Sequence, residues 1–242
     1  MNDFDLELNY MTSLENLTII TQNGDGDAIT QGIGVATAGA VGIDLQQGLV
    51  VLAQNCEQSQ DEARFSIEIL LDDMQLNLPS VLQESESASA VGACLKESMV
   101  NINEYLLSKN AQQSTAGMHT SVSLIAVQFL KGQLSVLGIG DYDCLLLREQ
   151  KLTSWLDAFS KGDSLLGAQP LISMRNTNAW FQAGDVIMLT HHSMLDVIGE
   201  EFVRVTLSRF SDNIDMALRQ INTRVAREGL PQKQQLVICR ID

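Results

Sequence analysis

Residues 119–150 read HTSVSLIAVQFLKGQLSVLGIGDYDCLLLREQ. Runs rich in Val, Ile, Leu and Phe flank the turn Lys131-Gly132-Gln133. Apolar runs of strand length meeting at a glycine-containing turn predict an antiparallel strand pair. Upstream, Leu17–Thr21 (LTIIT) is strand-like and is followed by the turn-rich QNGDGDA. GLVVLA at residues 48–53 has the continuous apolar character of a buried strand. From Asp61 the period changes: DEARFSIEILLDDM carries apolar residues at helical spacing, with acids near its start where the helix dipole favours them. The polar stretch QESESASA (residues 83–90) reads as a loop or helix start that separates this helix from a second one, ACLKESMVNINEYLLSK. Downstream come a strand DVIMLTH, helical patterns in EEFVRVTLSRF and DNIDMALRQINTRVARE, and a closing strand QLVICRI. Helices grouped between runs of strands predict an α+β domain with antiparallel sheets, not strict β-α-β alternation. Residues 17–242 are expected to form this single domain, and residues 1–16 an N-terminal extension or first strand.

Composition narrows the function classes. The chain has 242 residues, 45% of them hydrophobic, and a formal net charge of −15. A core can be buried, and a surface this acidic repels nucleic acid and anionic membranes. The four cysteines, Cys56, Cys94, Cys144 and Cys239, contain no C-x-x-C pair and fit reduced thiols of a cytoplasmic protein. No apolar run approaches the ~20 residues of a membrane span, and MNDFDLELNY does not have the form of a signal peptide. G-x-S-x-G is absent, GIGVATAG is not a dinucleotide fingerprint, and GDGD does not have the twelve-residue spacing of a calcium loop.

Two of the three histidines, His191 and His192, stand side by side in VIMLTHHSMLDVI. Read along a strand, neighbouring side chains point to opposite faces, so the pair is not expected to share one ion. His119 and Asp27 are conceivable additional zinc ligands, but their spacing shows no convergence. The expected role is structural, with one ring packed and the other in a polar pocket. Asp141 and Asp185 each follow a glycine and are expected to form turns.

Three segments together resemble the PPM family of metal-dependent, type 2C-like serine/threonine protein phosphatases. The block from Gly117 to Trp155 is similar to the family's G-T-T, hairpin and G-D-S-R segment, with Gly117 and Gly140-Asp141 at motif positions. Leu166-Gly167, Gly184-Asp185 and Asp196-Val197 match its L-G, p-G-D and x-D-v elements. PQKQQLVICRID resembles the closing D-N strand. The resemblance implies a four-layer α/β/β/α sandwich with two central antiparallel sheets, and a binuclear Mn²⁺ or Mg²⁺ centre that activates a bridging water.

The residues required for that chemistry are largely replaced. The family's phosphate-gripping Arg falls on Gln22, and the first acidic motif keeps only Asp27, with Gly26 at the Glu position and Asp44 as an alternative remnant. The metal-bridging Asp falls on Gln54, its glycine neighbour on Asn55, and the paired glycines on Glu57 and Gln58. The S-D-G-L motif becomes His191, His192, Ser193 and Met194, so the metal Asp is His192. The final D-N becomes Gln232 and Lys233. Amides and an imidazole bring no negative charge to offset dehydration of hard cations. The resemblance therefore implies a degenerate member: a pseudophosphatase with no catalytic residues and no metal, serving as a binding or regulatory module. Its expected partner is a protein: a phosphoprotein, a kinase, or a secretion or signalling assembly. The alternatives are an active phosphatase with a rearranged, weak Mn²⁺ or Mg²⁺ site using Asp27 and His192, and a structural subunit that uses the fold for assembly.

Overall fold

The computed structural model describes residues 17–22, 28–29, 35–36, 39–44, 48–56, 61–85, 87–113, 120–130, 132–156, 164–229 and 236–241. Side chains are described from residue 41 onward, apart from Gln113 and Asp215. Within these residues the order is β1 (Leu17–Gln22), β2 (Ala28–Ile29), β3 (Val35–Ala36), β4 (Gly39–Asp44), β5 (Leu49–Asn55), α1 (Asp61–Glu84) and α2 (Ala88–Gln113). There follow β6 (Val122–Leu130), β7 (Gln133–Ile139), β8 (Tyr142–Arg148), β9 (Lys151–Ser154), β10 (Arg175–Trp180) and β11 (Val186–His191). The chain closes with α3 (His192–Ile198), α4 (Glu200–Arg209), α5 (Ile214–Arg227) and β12 (Leu236–Ile241).

Two six-stranded antiparallel sheets form the centre, in the orders β2-β1-β12-β11-β8-β9 and β10-β7-β6-β5-β4-β3. The first is called sheet A below and the second sheet B. The strand pair expected around Gly132 is β6 and β7, with Val127 opposite Val136. Strand β8 then leaves sheet B and pairs with β11 in sheet A.

Period-2 alternation explains why the apolar runs are unbroken. Along β6, Leu124 and Ala126 face α1 and α2, while Ile125, Val127 and Phe129 face the other sheet. Along β8, Cys144 and Leu146 join the core between the sheets, and Leu145 and Leu147 pack with α3–α5. Antiparallel sheets often leave one face in water. Here both faces are covered, which gives the expected α/β/β/α sandwich its three apolar interfaces.

Three features sharpen or depart from the sequence reading. Helix α1 runs through Pro79 to Glu84 and α2 starts at Ala88, so QESESASA holds the end of one helix and the start of the next with a short connection between them. Val81 and Leu82 pack on the core and Ala88 and Val91 are buried in it, and this packing outweighs the weak helix propensity of the serines. Strand β10, RNTNAW, alternates half-buried and exposed residues at the edge of sheet B, so it has no apolar signature. Helix α3 begins at His192, so only His191 belongs to the strand, and the alternation argument does not extend to His192. Among the described residues no helix is long and apolar enough to cross a membrane.

Candidate functional site

Register places the family-matched positions at one end of the sandwich. In sheet A, Gln22 ends β1 opposite Leu236, the first residue of β12, and His191 ends β11 opposite Tyr142, the first residue of β8. In sheet B, Gln54 and Asn55 end β5 opposite Ser123 and Val122, at the start of β6. The Gly140-Asp141 turn joins the end of β7 to the start of β8, so the two sheet ends adjoin. Gly140 has φ of +83°, and a Cβ there would lie 2.7 Å from the Cβ of Ser123. Both constraints require glycine. Gly167 meets the same two constraints: φ is +81°, and a Cβ would lie 2.7 Å from the carbonyl oxygen of Thr120.

Asp44 is at the other end of its strand. Gly39 of β4 faces Gln54, whereas Asp44 faces Leu49. Five residues of strand separate the two ends by roughly 17 Å, so Asp44 is not a remnant of this site. Gly26, Asp27, Glu57, Gln58, Gly117, His119, Gln232 and Lys233 lie outside the described residues, as does the side chain of Gln22.

On the sheet A side, each histidine is held by an aspartate. Nδ1–H of His192 donates to Asp143 Oδ2 at 2.5 Å, and its Nε2 lies 3.5 Å from Asp196 Oδ1. The hydrogen bond to Asp143 raises the His192 pKa above the ordinary 6.5; the charges of Asp143, Asp196 and Asp141 add to this, and burial opposes it. The backbone N–H of His192 donates to the Asp141 carbonyl at 2.8 Å. His191 lies over the buried ring of Tyr142, with centroids 4.7 Å apart, and its Nδ1 is 3.2 Å from Asp141 Oδ2. That contact holds the Asp141 carboxyl below its ordinary range, helped by the charges of both histidines and the backbone N–H of Ser193. Arg175 braces the same turn, donating to the carbonyls of Gly140 at 2.7 Å and Tyr142 at 2.6 Å.

On the sheet B side, Asn55 is buried and its Nδ2 donates to Glu62 Oε2 at 3.2 Å. Glu62, in the first turn of α1, pairs through Oε1 with Lys109 of α2 at 2.8 Å. Gln54 is half-buried, and its Oε1 is buried with no hydrogen-bond partner among the described residues. Cys56 is exposed, with its Sγ 3.8 Å from Ser123 Oγ.

These residues do not fit a binuclear Mn²⁺ or Mg²⁺ centre. Such cations need several anionic oxygens free to converge. The donors at positions 54 and 55 are amides, and the Asn55 amide is bound to a carboxylate. The Nδ1 of His192 is committed to Asp143. Among the described residues no group of three or more His, Cys, Asp or Glu side chains could hold a metal ion.

Asp143, Glu62, Lys109 and Arg175 were not singled out from sequence. Asp143 had a readable signal: an acid flanked by Tyr142 and CLLL in a buried strand needs a partner. The sequence pattern marks Glu62 only as an acid in the first turn of a helix. Nothing local ties it to Lys109, 47 positions away. Asp185, expected in a turn, is indeed followed directly by β11, but it is also buried and held by Arg148 through two hydrogen bonds of 2.9 and 2.6 Å.

Two crossed-over antiparallel sheets between helical layers, with the motif positions at one strand end, define the PPM-type serine/threonine phosphatase fold. The solved structures similar to this chain carry that fold. The S. agalactiae serine/threonine phosphatase superposes with a TM-score of 0.72 at 10% identity, over 93% of this chain and 100% of that one. PppA, a key regulatory component of T6SS in Pseudomonas aeruginosa, gives 0.68 at 15% identity, over 93% and 97%. The PPM Ser-Thr phosphatase MsPP from Mycobacterium smegmatis gives 0.67 at 14% identity, over 96% and 99%. No family profile and no curated protein sequence matches the chain.

Proposed function

We propose that the chain is a pseudophosphatase: a PPM-type scaffold without metal-dependent phosphoryl chemistry, acting in the cytoplasm as a binding or regulatory module for a protein partner. The supporting observation is that Gln54 and His192 stand where the family resemblance places metal carboxylates, and that His192 and Asn55, beside Gln54, are bound into other networks. Asn55 is joined to Glu62 and Lys109, and His192 to Asp143. A cation would have to dismantle both networks and would gain no carboxylate from positions 54, 55 or 192. That one structural neighbour is a regulatory component supports a regulatory role for this scaffold. Free cysteines, three of them buried, suit a reducing compartment.

The test is calorimetric titration of the purified chain with MnCl₂, alongside hydrolysis of p-nitrophenyl phosphate. The expected result is no saturable binding in the micromolar range and no Mn²⁺-dependent hydrolysis. Micromolar affinity, with hydrolysis that collapses in Asp27→Ala and His192→Ala, would overturn the proposal in favour of a rearranged metal site.

A further inference from the structure

The two helical layers differ in charge. Helices α3–α5 carry four acidic residues against five arginines, so their charges nearly balance, and two ion pairs lie among them: Arg204 with Glu201, and Arg224 with Glu228 just beyond α5. Helices α1 and α2 carry eight acidic residues against three basic ones. Of these, Glu62 and Lys109 pair with each other close to the core. Glu68, Asp72, Glu97 and Glu104 have no ion-pair partner among the described residues. Glu68 and Asp72 are four residues apart on one helix, a like-charge spacing that destabilises it.

An apolar stripe runs through this acidic surface. Phe65, Ile69 and Leu76 follow the i, i+4, i+11 spacing that places them on one side of α1, with the acidic Asp72 at i+7 among them. Contacts from α1 to α2 show that this side borders α2: Asn101 donates to Asp73 at 3.1 Å, and the rings of Phe65 and Tyr105 lie 4.8 Å apart. Phe65 is 39% exposed, Tyr105 40% and Leu76 77%, so the stripe opens outward. From Phe65 to Leu76 it spans roughly 16 Å, about three helical turns. The negative field also reaches the buried thiol beside it: burial raises the Cys94 pKa, and Glu97 and Asp73 raise it further.

Resting on the binding-module reading, we propose that the α1–α2 seam is the docking face, and that its occupant is a basic amphipathic helix of a protein partner. Apolar residues at helical spacing would cover Phe65, Leu76 and Tyr105, and flanking Lys or Arg residues would meet Glu68, Asp72, Glu97 and Glu104. Charge complementarity selects this occupant. A second copy of the chain, docked by the same face, would bring carboxylates against carboxylates.

The test uses a synthetic Lys/Leu amphipathic peptide of about four turns, titrated into ¹⁵N-labelled protein at roughly 0.15 M salt, where long-range attraction to the net charge is screened. Amide shifts should concentrate between residues 64 and 76 and between 97 and 108. Phe65→Ser with Tyr105→Ser should weaken binding roughly tenfold or more, and so should Glu68→Lys with Asp72→Lys. The second pair is solvent-exposed and covers the case in which the first pair fails to fold. A control peptide of equal charge, with Leu replaced by Ser, should not saturate. Shifts spread over the whole surface, equal binding of the control, or unchanged affinity in both double variants would overturn the proposal. So would a dimer in sedimentation equilibrium that dissolves in Phe65→Ser. The face lies on the outer helices and shares no side chain with the strand-end cluster, so Mn²⁺-dependent hydrolysis would sink the pseudophosphatase reading and leave this inference standing.

Discussion

Sheets A and B each bring polar side chains to the same strand end, and they satisfy them differently. On the sheet A side, aspartates hold imidazoles, so the contacts depend on protonation. On the sheet B side, a carboxylate is shared between an amide and an ammonium, Asn55–Glu62–Lys109, and no imidazole takes part. The same strand end thus carries two unrelated arrangements, and both meet the requirement that buried polar groups find partners.

The sharpest way to break this comparison is to strand one acid on each side. His192→Leu leaves Asp143, whose side chain is 4% exposed, without its imidazole. A loss of about 3 kcal/mol in urea unfolding is expected, the range for a buried charge deprived of its partner. Lys109→Met should cost less, about 2 kcal/mol, because Glu62 keeps its hydrogen bond from Asn55 and Lys109 is 30% exposed. Equal losses in the two variants would erase the distinction between the halves.

Dependence on pH should separate them further. The His192 pKa is raised on folding, so its contribution is fully present below 6.5 and is lost as pH rises through the higher folded value. Asp141 is depressed, so its contribution is present above the ordinary carboxylate value of 3.8 and is lost as pH falls through the lower folded one. Stability measured by denaturant midpoint should therefore be greatest in mildly acidic solution. Lys109→Met should keep the decline above neutrality, and His192→Leu should flatten it. A wild-type midpoint independent of pH between 6 and 8 would contradict the assignment, those limits bracketing roughly the ordinary imidazole range.

The smallest expected effects concern Cys56. It is exposed, and Cys56→Ser should change stability by no more than about 0.5 kcal/mol. With native protein a thiol reagent should modify Cys56 before the other three. Cys94, Cys144 and Cys239 are buried; burial pushes the Cys239 pKa up to about 12 and that of Cys144 higher still. Rapid modification of Cys144 or Cys239 in the folded state would mean that the core between the sheets opens at β8 or β12.

Much of the fold was legible because both faces of each central strand are buried. GLVVLA, SLIAVQF, DVIMLTH and QLVICRI are continuous apolar runs for that reason. The edge strand β10 and the short helix α3 carried no comparable pattern: one lies at a sheet margin, and the other is set by where β11 ends. The site was legible only as a list of replaced positions. Gln54, Asn55 and His192 could be named through the family resemblance, but their surroundings could not. The Asn55–Glu62 bond and the His192–Asp143 bond span 7 and 49 positions.

Amino-acid order alone determined the α+β class, the antiparallel strands and the amide or imidazole chemistry of residues 54, 55 and 192. Those follow from local periodicity and residue chemistry, which any short window carries. Tertiary structure decided that Asp44 stands apart from the site, that Asp143 and Glu62 take up the polar groups there, and that Phe65 and Tyr105 meet on an acidic seam. Each of these depends on register across sheets or on the packing of two helices, distances that no local pattern encodes.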